Sequence, residues 1–307
     1  MFSRIATIRL TLVLSIAIAA NMSRAATALD YLNHFDRSAS YDHFTVDDAR
    51  PLREAARILT YEYGVRVSYE EAALEYQGDL VDITEQIRRP TGPQSSVRVF
   101  APRSGQPLTA SVSKESGTGK PANAMGAATE TLAGYDSNSG TTRFALQGTK
   151  TYIHIVPFEI RDVTGKWKQV TPVMSQGVSL AGGEMTFRAA VDAVVKQLHT
   201  ERDPVKSLIW AMGDQTLSVP TVNNQPARQV LSDLIESLTN SRMNWMLSHD
   251  PTLRSYYLVI ETADKPAAPP AINRDDLKHV QPLPQRDPTA PSPSGRRIDG
   301  SRQGTPK

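Results

Sequence analysis

Two stretches of this chain open with the same step and continue with the same period. Pro51-Leu52-Arg53 leads into Ala55, Ala56, Leu59 and Tyr63, and Pro226-Ala227-Arg228 leads into Val230, Leu231, Leu234 and Leu238. In both, a Leu stands eight positions after the Pro. Proline fits the first turn of a helix because its missing N–H has no acceptor there. Apolar residues three and four positions apart then lie along one helical face, which places Ser232 and Asp233 on the outer face of the second stretch. Each stretch gives way to residues that alternate with a period of two, as strands do: Val65, Val67 and Tyr69 after the first, Met243–Leu247 and Tyr256–Glu261 after the second. Leu80, Val81 and Ile83 supply the next strand of the first unit. A weaker copy joins an extended Leu108–Val112, a helix with Met125, Ala128, Leu132 and Tyr135 on one face, and a hairpin of Arg143–Gln147 with Thr151–Phe158. The chain therefore reads as α+β: tandem small strand–helix–hairpin units, each a helix packed on a small sheet, with a disordered C-terminal tail.

Composition sets the boundaries. Residues 1–25 have the form of a signal peptide, with Arg4 and Arg9 ahead of the apolar run Leu10–Ala20, and small Ser23 and Ala25 before the expected cut. Residues 26–103 form the first αβ unit, which resembles a known family described below. Residues 104–177 form the second, with a mobile Gly-, Ser- and Lys-rich loop at Ser113–Ala122. Residues 178–263 form a third αβ region with a helix pair and a C-terminal hairpin. In it Thr186 caps a helix with Phe187, Ala190, Val191, Val194 and Leu198 on one stripe, and Ser207–Met212 reads as a buried strand. Residues 264–307 are rich in Pro and poor in large apolar side chains, too few to offset the entropy of ordering.

Cysteine is absent, which excludes disulfides and thiolate metal sites. Loss of the three signal-peptide arginines turns the net charge of +2 into −1, and no concentrated basic face remains for a nucleic acid. The expected setting is the periplasm or the exterior, with no transmembrane segment in the mature chain.

No catalytic residue, cofactor-binding residue or metal ligand is assigned. His34, Asp36, Asp42 and His43 read as solvated loop residues, and His154 as a residue on an exposed sheet face opposite Ile153 and Ile155. Gly117-Thr118-Gly119-Lys120 lacks the leading Gly of a phosphate loop, and Pro121 stands where Ser or Thr is needed. The neighbours Glu70 and Glu71 point to opposite sides of a strand and do not form a cooperating pair. Asp47 and Asp48 suit a helix start. Trp245, Tyr256 and Tyr257, with Trp167, are the candidates for contact with a partner or a glycan; the alternative for them is cross-strand packing.

The passage Phe44–Thr84 resembles the first part of the secretin and TonB short N-terminal domain. The likeness is carried by Pro51, Leu52, Ala55, Leu59, Gly64, Val65, Val67 and Tyr69. The whole of Phe44–Glu261 is similar to a group of uncharacterised exported bacterial proteins, through Val65–Glu70, Val156-Pro157, Pro226–Leu231, Asn244-Trp245 and Tyr256-Tyr257. This resemblance implies a periplasmic module that presents sheet edges to envelope proteins, and it carries over no catalytic residue. The expected function is a non-enzymatic exported interaction or adaptor module. The alternatives are an envelope glycan or small-ligand binding protein, and an unrecognised hydrolase.

Overall fold

The computed structural model describes residues 35–87, 98–103, 105–116, 120–138, 140–149, 151–200, 203–209, 213–238 and 243–262. The expected signal peptide, the Pro-rich tail and Gly117–Gly119 lie outside these residues, as does His34. In chain order, strands β1 (Phe35–Arg37) and β2 (Tyr41–Val46) precede helix α1 (Pro51–Tyr63) and strand β3 (Val67–Glu70). Strands β4 (Leu80–Asp82) and β5 (Phe100–Pro102) lead to β6 (Leu108–Ser113), α2 (Ala124–Asp136), β7 (Thr142–Gly148), β8 (Ile153–Arg161) and β9 (Trp167–Gln169). Then follow β10 (Gly177–Leu180), β11 (Gly183–Thr186), α3 (Phe187–Val195), β12 (Val205–Ile209), β13 (Thr216–Val219), β14 (Val222–Pro226), α4 (Ala227–Glu236), β15 (Met243–Asp250) and β16 (Ser255–Thr262). The fold is α+β, and no helix among the described residues is long and apolar enough to cross a membrane.

Local chemistry explains the helix ends. Pro51 opens α1, and Asp48 accepts the N–H of Arg50 just before it at 2.7 Å. Gly64 closes α1 at φ +68°, a conformation that a side chain disfavours. Its N–H bonds Thr60 O, and the next N–H bonds Leu59 O. Thr186 caps α3 by accepting the N–H of Ala189 at 3.2 Å, and the expected stripe of Phe187, Ala190, Val191 and Val194 is buried. On α2 the buried face is Ala127, Ala128, Thr131 and Tyr135, so Met125 is turned out to solvent.

A seven-stranded sheet organises the chain in the order β12-β16-β15-β3-β8-β7, with β9 added to the far end of β8. It contains two triplets of the same design. In β3-β8-β7, the strand after a helix runs parallel to the second strand of a later hairpin, whose first strand lies outermost. In β12-β16-β15 the same relations hold. The triplets join where β15 runs parallel to β3. Because β15 and β16 are antiparallel, β12 runs opposite to β3, and one triplet is upside down relative to the other. A two-fold screw along the sheet describes the relation.

The inversion also places the helices. Val67, Tyr69, Phe144, Ile153, Ile155 and Met246 share a core with α1, α2 and the inner residues of β2 and β6. Trp245, Leu247, Tyr256, Leu258 and Ile260 share the other core with α3, α4 and residues of β10, β13 and β14. Met246 and its neighbours Trp245 and Leu247 belong to different cores, so the helix pairs cover opposite faces of the sheet.

This arrangement corrects two expectations. The strand after α1 closes no hairpin with residues 80–83. It is held between β8 and β15, while β4 pairs with β5 in a separate ribbon. Residues 207–209 belong to an edge strand that is half-buried throughout, not to a buried one, and residues 210–212 lie outside the description.

Candidate functional site

The outer strands β7 and β12 each have a neighbour on one side only among the described residues. Their outward backbone groups follow from the ladder. Tyr256 N bonds Pro204 O, so in the parallel pair Lys206 and Leu208 face β16, and Val205, Ser207 and Ile209 face outward. Ile153 N bonds Arg66 O on the β3 side, so His154 and Val156 face β7. Their partners Gln147 and Ala145 point inward, which leaves Phe144, Leu146 and Gly148 pointing outward.

A cleft of about 540 Å³ opens at the start of β7, lined by Asp136, Thr142, Arg143, Phe144, Phe158, Arg161 and Trp167 among others. A bulge builds it. Arg143 pairs with Glu159 and Phe144 with Pro157, so Phe158 is the unmatched residue and stands 40 % exposed. Pro157 is tolerated within β8 because its nitrogen faces the gap between the last β3 pair, at Ile155, and the first β9 pair, at Glu159. Trp167 is 37 % exposed, with the Arg143 guanidinium 4.4 Å and that of Arg161 5.6 Å from its ring centre. Arg143 also bonds Glu159 at 2.7 Å, and Arg161 bonds Asp79. Burial raises the Asp136 carboxyl above its usual range, against the pull of Arg143.

A second polar group lies inside, on the face of the sheet that carries α4. Glu70 accepts the N–H of Met174 at 2.7 Å and pairs with Arg228 at 3.0 Å. Arg228 also donates to Gln147. Burial outweighs these partners and pushes the Glu70 carboxyl up to about 7. Ser68 and His154 meet at 2.6 Å (Oγ to Nδ1), both buried, and burial lowers the His154 imidazole to about 4. Tyr152 and Trp245 flank the imidazole, which closes the hydroxyl off from solvent.

The join between β15 and β3 spans only two register pairs, Met246 with Tyr69 and Leu247 with Glu70. Side chains satisfy the backbone beyond them. Asn244 accepts the N–H of Trp245 at 2.7 Å and donates to Val67 O. Glu71 accepts the N–H of His249 at 2.7 Å and holds Arg50, which donates to His249 O. Glu70 and Glu71 thus serve different partners.

Several sequence expectations change here. His154 is not on an exposed face, because α4 and Trp245 cover that side of β8. Trp245 is buried in the second core, where its indole N–H donates to Ser232 at 3.3 Å. Tyr256 is buried, and its hydroxyl accepts the N–H of Ala73 at 2.8 Å. Tyr257 points to the other face and is half-buried, with Lys206 Nζ 5.4 Å from its ring centre. Neither Trp245 nor Tyr256 has the exposure that contact with a glycan or partner requires, because α3 and α4 bury the whole face of β15 and β16 on which they stand. Trp167 is the expected aromatic that does reach solvent. Phe158, Arg143 and Arg161 join it at the cleft with no motif to mark them; Pro157 inside an otherwise continuous strand pattern is the signal for the bulge that exposes Phe158.

Comparison with known proteins finds no matching family model, no matching curated protein and no matching solved structure.

Proposed function

We propose that this chain is a non-enzymatic, exported interaction module of the cell envelope, an adaptor that binds partners through sheet edges. The observation that carries this reading is the pair of outer strands β7 and β12, whose outward N–H and C=O groups meet no other described strand. Such edges offer main-chain hydrogen bonds to an added strand, while neighbouring side chains give selectivity. The β7 edge adjoins the exposed Phe158 and Trp167, an apolar anchor of the kind that dominates binding energy at interfaces. On this reading the chain is a set of tandem αβ modules, and the likeness of Phe44–Thr84 to the secretin and TonB short N-terminal domain reflects a shared way of presenting strands.

The test is capture from envelope extract by the full chain, by a Ser207→Pro chain and by a Leu146→Pro chain, which remove one outward N–H from β12 and from β7. A partner held by the first and lost by either of the others supports edge binding. Identical captures by all three, or none from any, overturn it.

The cleft favours a second reading, a glycan-binding protein in which Trp167 and Phe158 meet sugar faces. Co-sedimentation with purified peptidoglycan that falls in Trp167→Ala and Phe158→Ala chains supports it. Sedimentation absent, or unchanged by both substitutions, sinks it.

A further inference from the structure

We infer that the partner of these edges is a second copy of this chain, added head to tail so that β7 of one copy lies parallel to β12 of the next. This deepens the edge-binding reading and rests on it. The intrachain join supplies the pattern. There, the outer hairpin strand of one triplet, β15, pairs in parallel with the post-helix strand of the other, β3. The strands at the two ends of the sheet order, each with one neighbour among the described residues, are the same two kinds of strand: β7 is an outer hairpin strand, and β12 is a post-helix strand.

Directions agree as well. β7 is antiparallel to β8, β8 is parallel to β3, and β12 runs opposite to β3. So β7 and β12 point the same way, and a second copy placed by translation along the sheet presents its β12 parallel to β7. The screw that relates the two triplets within one chain, applied again, carries the sheet into the next chain. An interface between two different patches does not close on itself at two copies, so it propagates.

The features that blunt these edges leave room for the pairing. The bulge at Arg143 and Phe144 disturbs only the start of β7, and the intrachain join has just two register pairs, with side chains completing the bonding beyond them. The ammonium of Lys206 lies over Tyr257, on the face of its own sheet, not across the edge.

The test is light scattering of the purified full chain across a concentration series, with one edge disabled at a time. Ser207→Pro removes an outward N–H from β12 and no ladder bond to β16. Ser207→Ala controls for the hydroxyl, which bonds Asp192 at 2.6 Å. Leu146→Pro does the same for β7. Gly148→Pro replaces it if circular dichroism shows that Leu146→Pro is unfolded. The expected result is a weight-average mass that climbs past two chains in the wild type and in Ser207→Ala. Each Pro chain alone should stay monomeric, and an equimolar mixture of a β12-disabled with a β7-disabled chain should give one-to-one dimers and nothing larger. A wild type that is monomeric throughout, or a closed dimer that either Pro variant leaves intact, overturns the inference. If the wild type stays monomeric yet captures an envelope protein that either Pro chain loses, self-assembly falls and edge binding stands. If that capture is absent too, both fall.

Discussion

The halves of the sheet share a strand order but not a packing recipe. In the first, α1 carries Leu52, Ile58 and Leu59, but α2 packs through the small Ala127 and Ala128 with Tyr135 near its end, and Phe44, Tyr69 and Phe144 come from strands. In the second, the helices themselves carry Phe187, Val191, Leu231, Leu234 and Ile235. A topology fixes which faces meet and leaves open which side fills the space, because cores accept many divisions of the same volume. The halves differ also at their post-helix strands: β3 is enclosed by β15, with charged and polar side chains completing its hydrogen bonds, whereas β12 has only β16 beside it among the described residues.

The largest expected effect separates a buried ion pair from a half-exposed one. Arg228→Ala leaves Glu70 buried without its cation and should cost about 3–5 kcal/mol in denaturant melts. Arg143→Ala, at a pair with one side chain half exposed, should cost about 1 kcal/mol or less. Equal losses would mean that the interior is wetter than the packing implies.

Leu59 and Leu234 lie in different cores and are both buried. Each change to Ala should cost about 2–5 kcal/mol. Because one continuous sheet ties the cores together, both should shift a single transition. Two separate transitions, each sensitive to one variant only, would make the halves independent.

Two buried groups oppose one another in pH dependence. Glu70 titrates near 7 folded against 4.5 for a free carboxyl, so the folded chain binds the extra proton and its contribution falls as pH rises from 4.5 to about 7. His154 titrates near 4 folded against 6.5 free, so its contribution rises across nearly the same window. The wild type should therefore be nearly flat between about pH 5 and pH 6.5 with respect to this pair. Glu70→Gln should uncover a rise, and His154→Gln a fall, each approaching about 1.4 kcal/mol per pH unit. Parallel stability profiles for the two variants would refute this opposition.

The smallest effect tests the face of α4. Ser232, expected on the outside, is buried and accepts the Trp245 indole N–H. Ser232→Ala should cost about 1–3 kcal/mol by orphaning that donor, while the exposed Asp233→Ala should stay within about 0.5 kcal/mol. Thermal melts that rank them the other way would place the helix in a different register.

What the sequence made legible was local. Pro51, Gly64 and Thr186 marked helix ends because capping acts over one turn, and the Phe187–Val194 stripe showed its buried side because a single face takes all the apolar residues. Hidden from it were the pairings that unite distant strands. Asn244 and Val67, bonded across the join, are 177 positions apart, and nothing in either neighbourhood announces the other. Separation along the chain, 86 positions, also hid the setting of His154 and Ser68. An alternating strand with polar residues on one side looks solvated until α4, from far along the chain, covers that side. The cleft was half visible: Trp167 stood out by type, but its exposure depends on a bulge, which is a property of two strands together.

The interval between β3 and β15 also sets a timetable. At a synthesis rate of about 5–20 residues per second, roughly 10–35 s separate the emergence of the first strand from that of its outer neighbour. Once β7 and β8 have emerged, the first triplet has a second open edge, formed by Val67–Glu70, and the carboxylate of Glu70 still lacks Arg228. A charge on the waiting edge is a deterrent to premature strand addition, and it is neutralised only when α4 and the last hairpin arrive together. The ion pair that looks costly in the finished molecule thus has a use in the growing one: Glu70 keeps its charge unpaired until α4 brings Arg228.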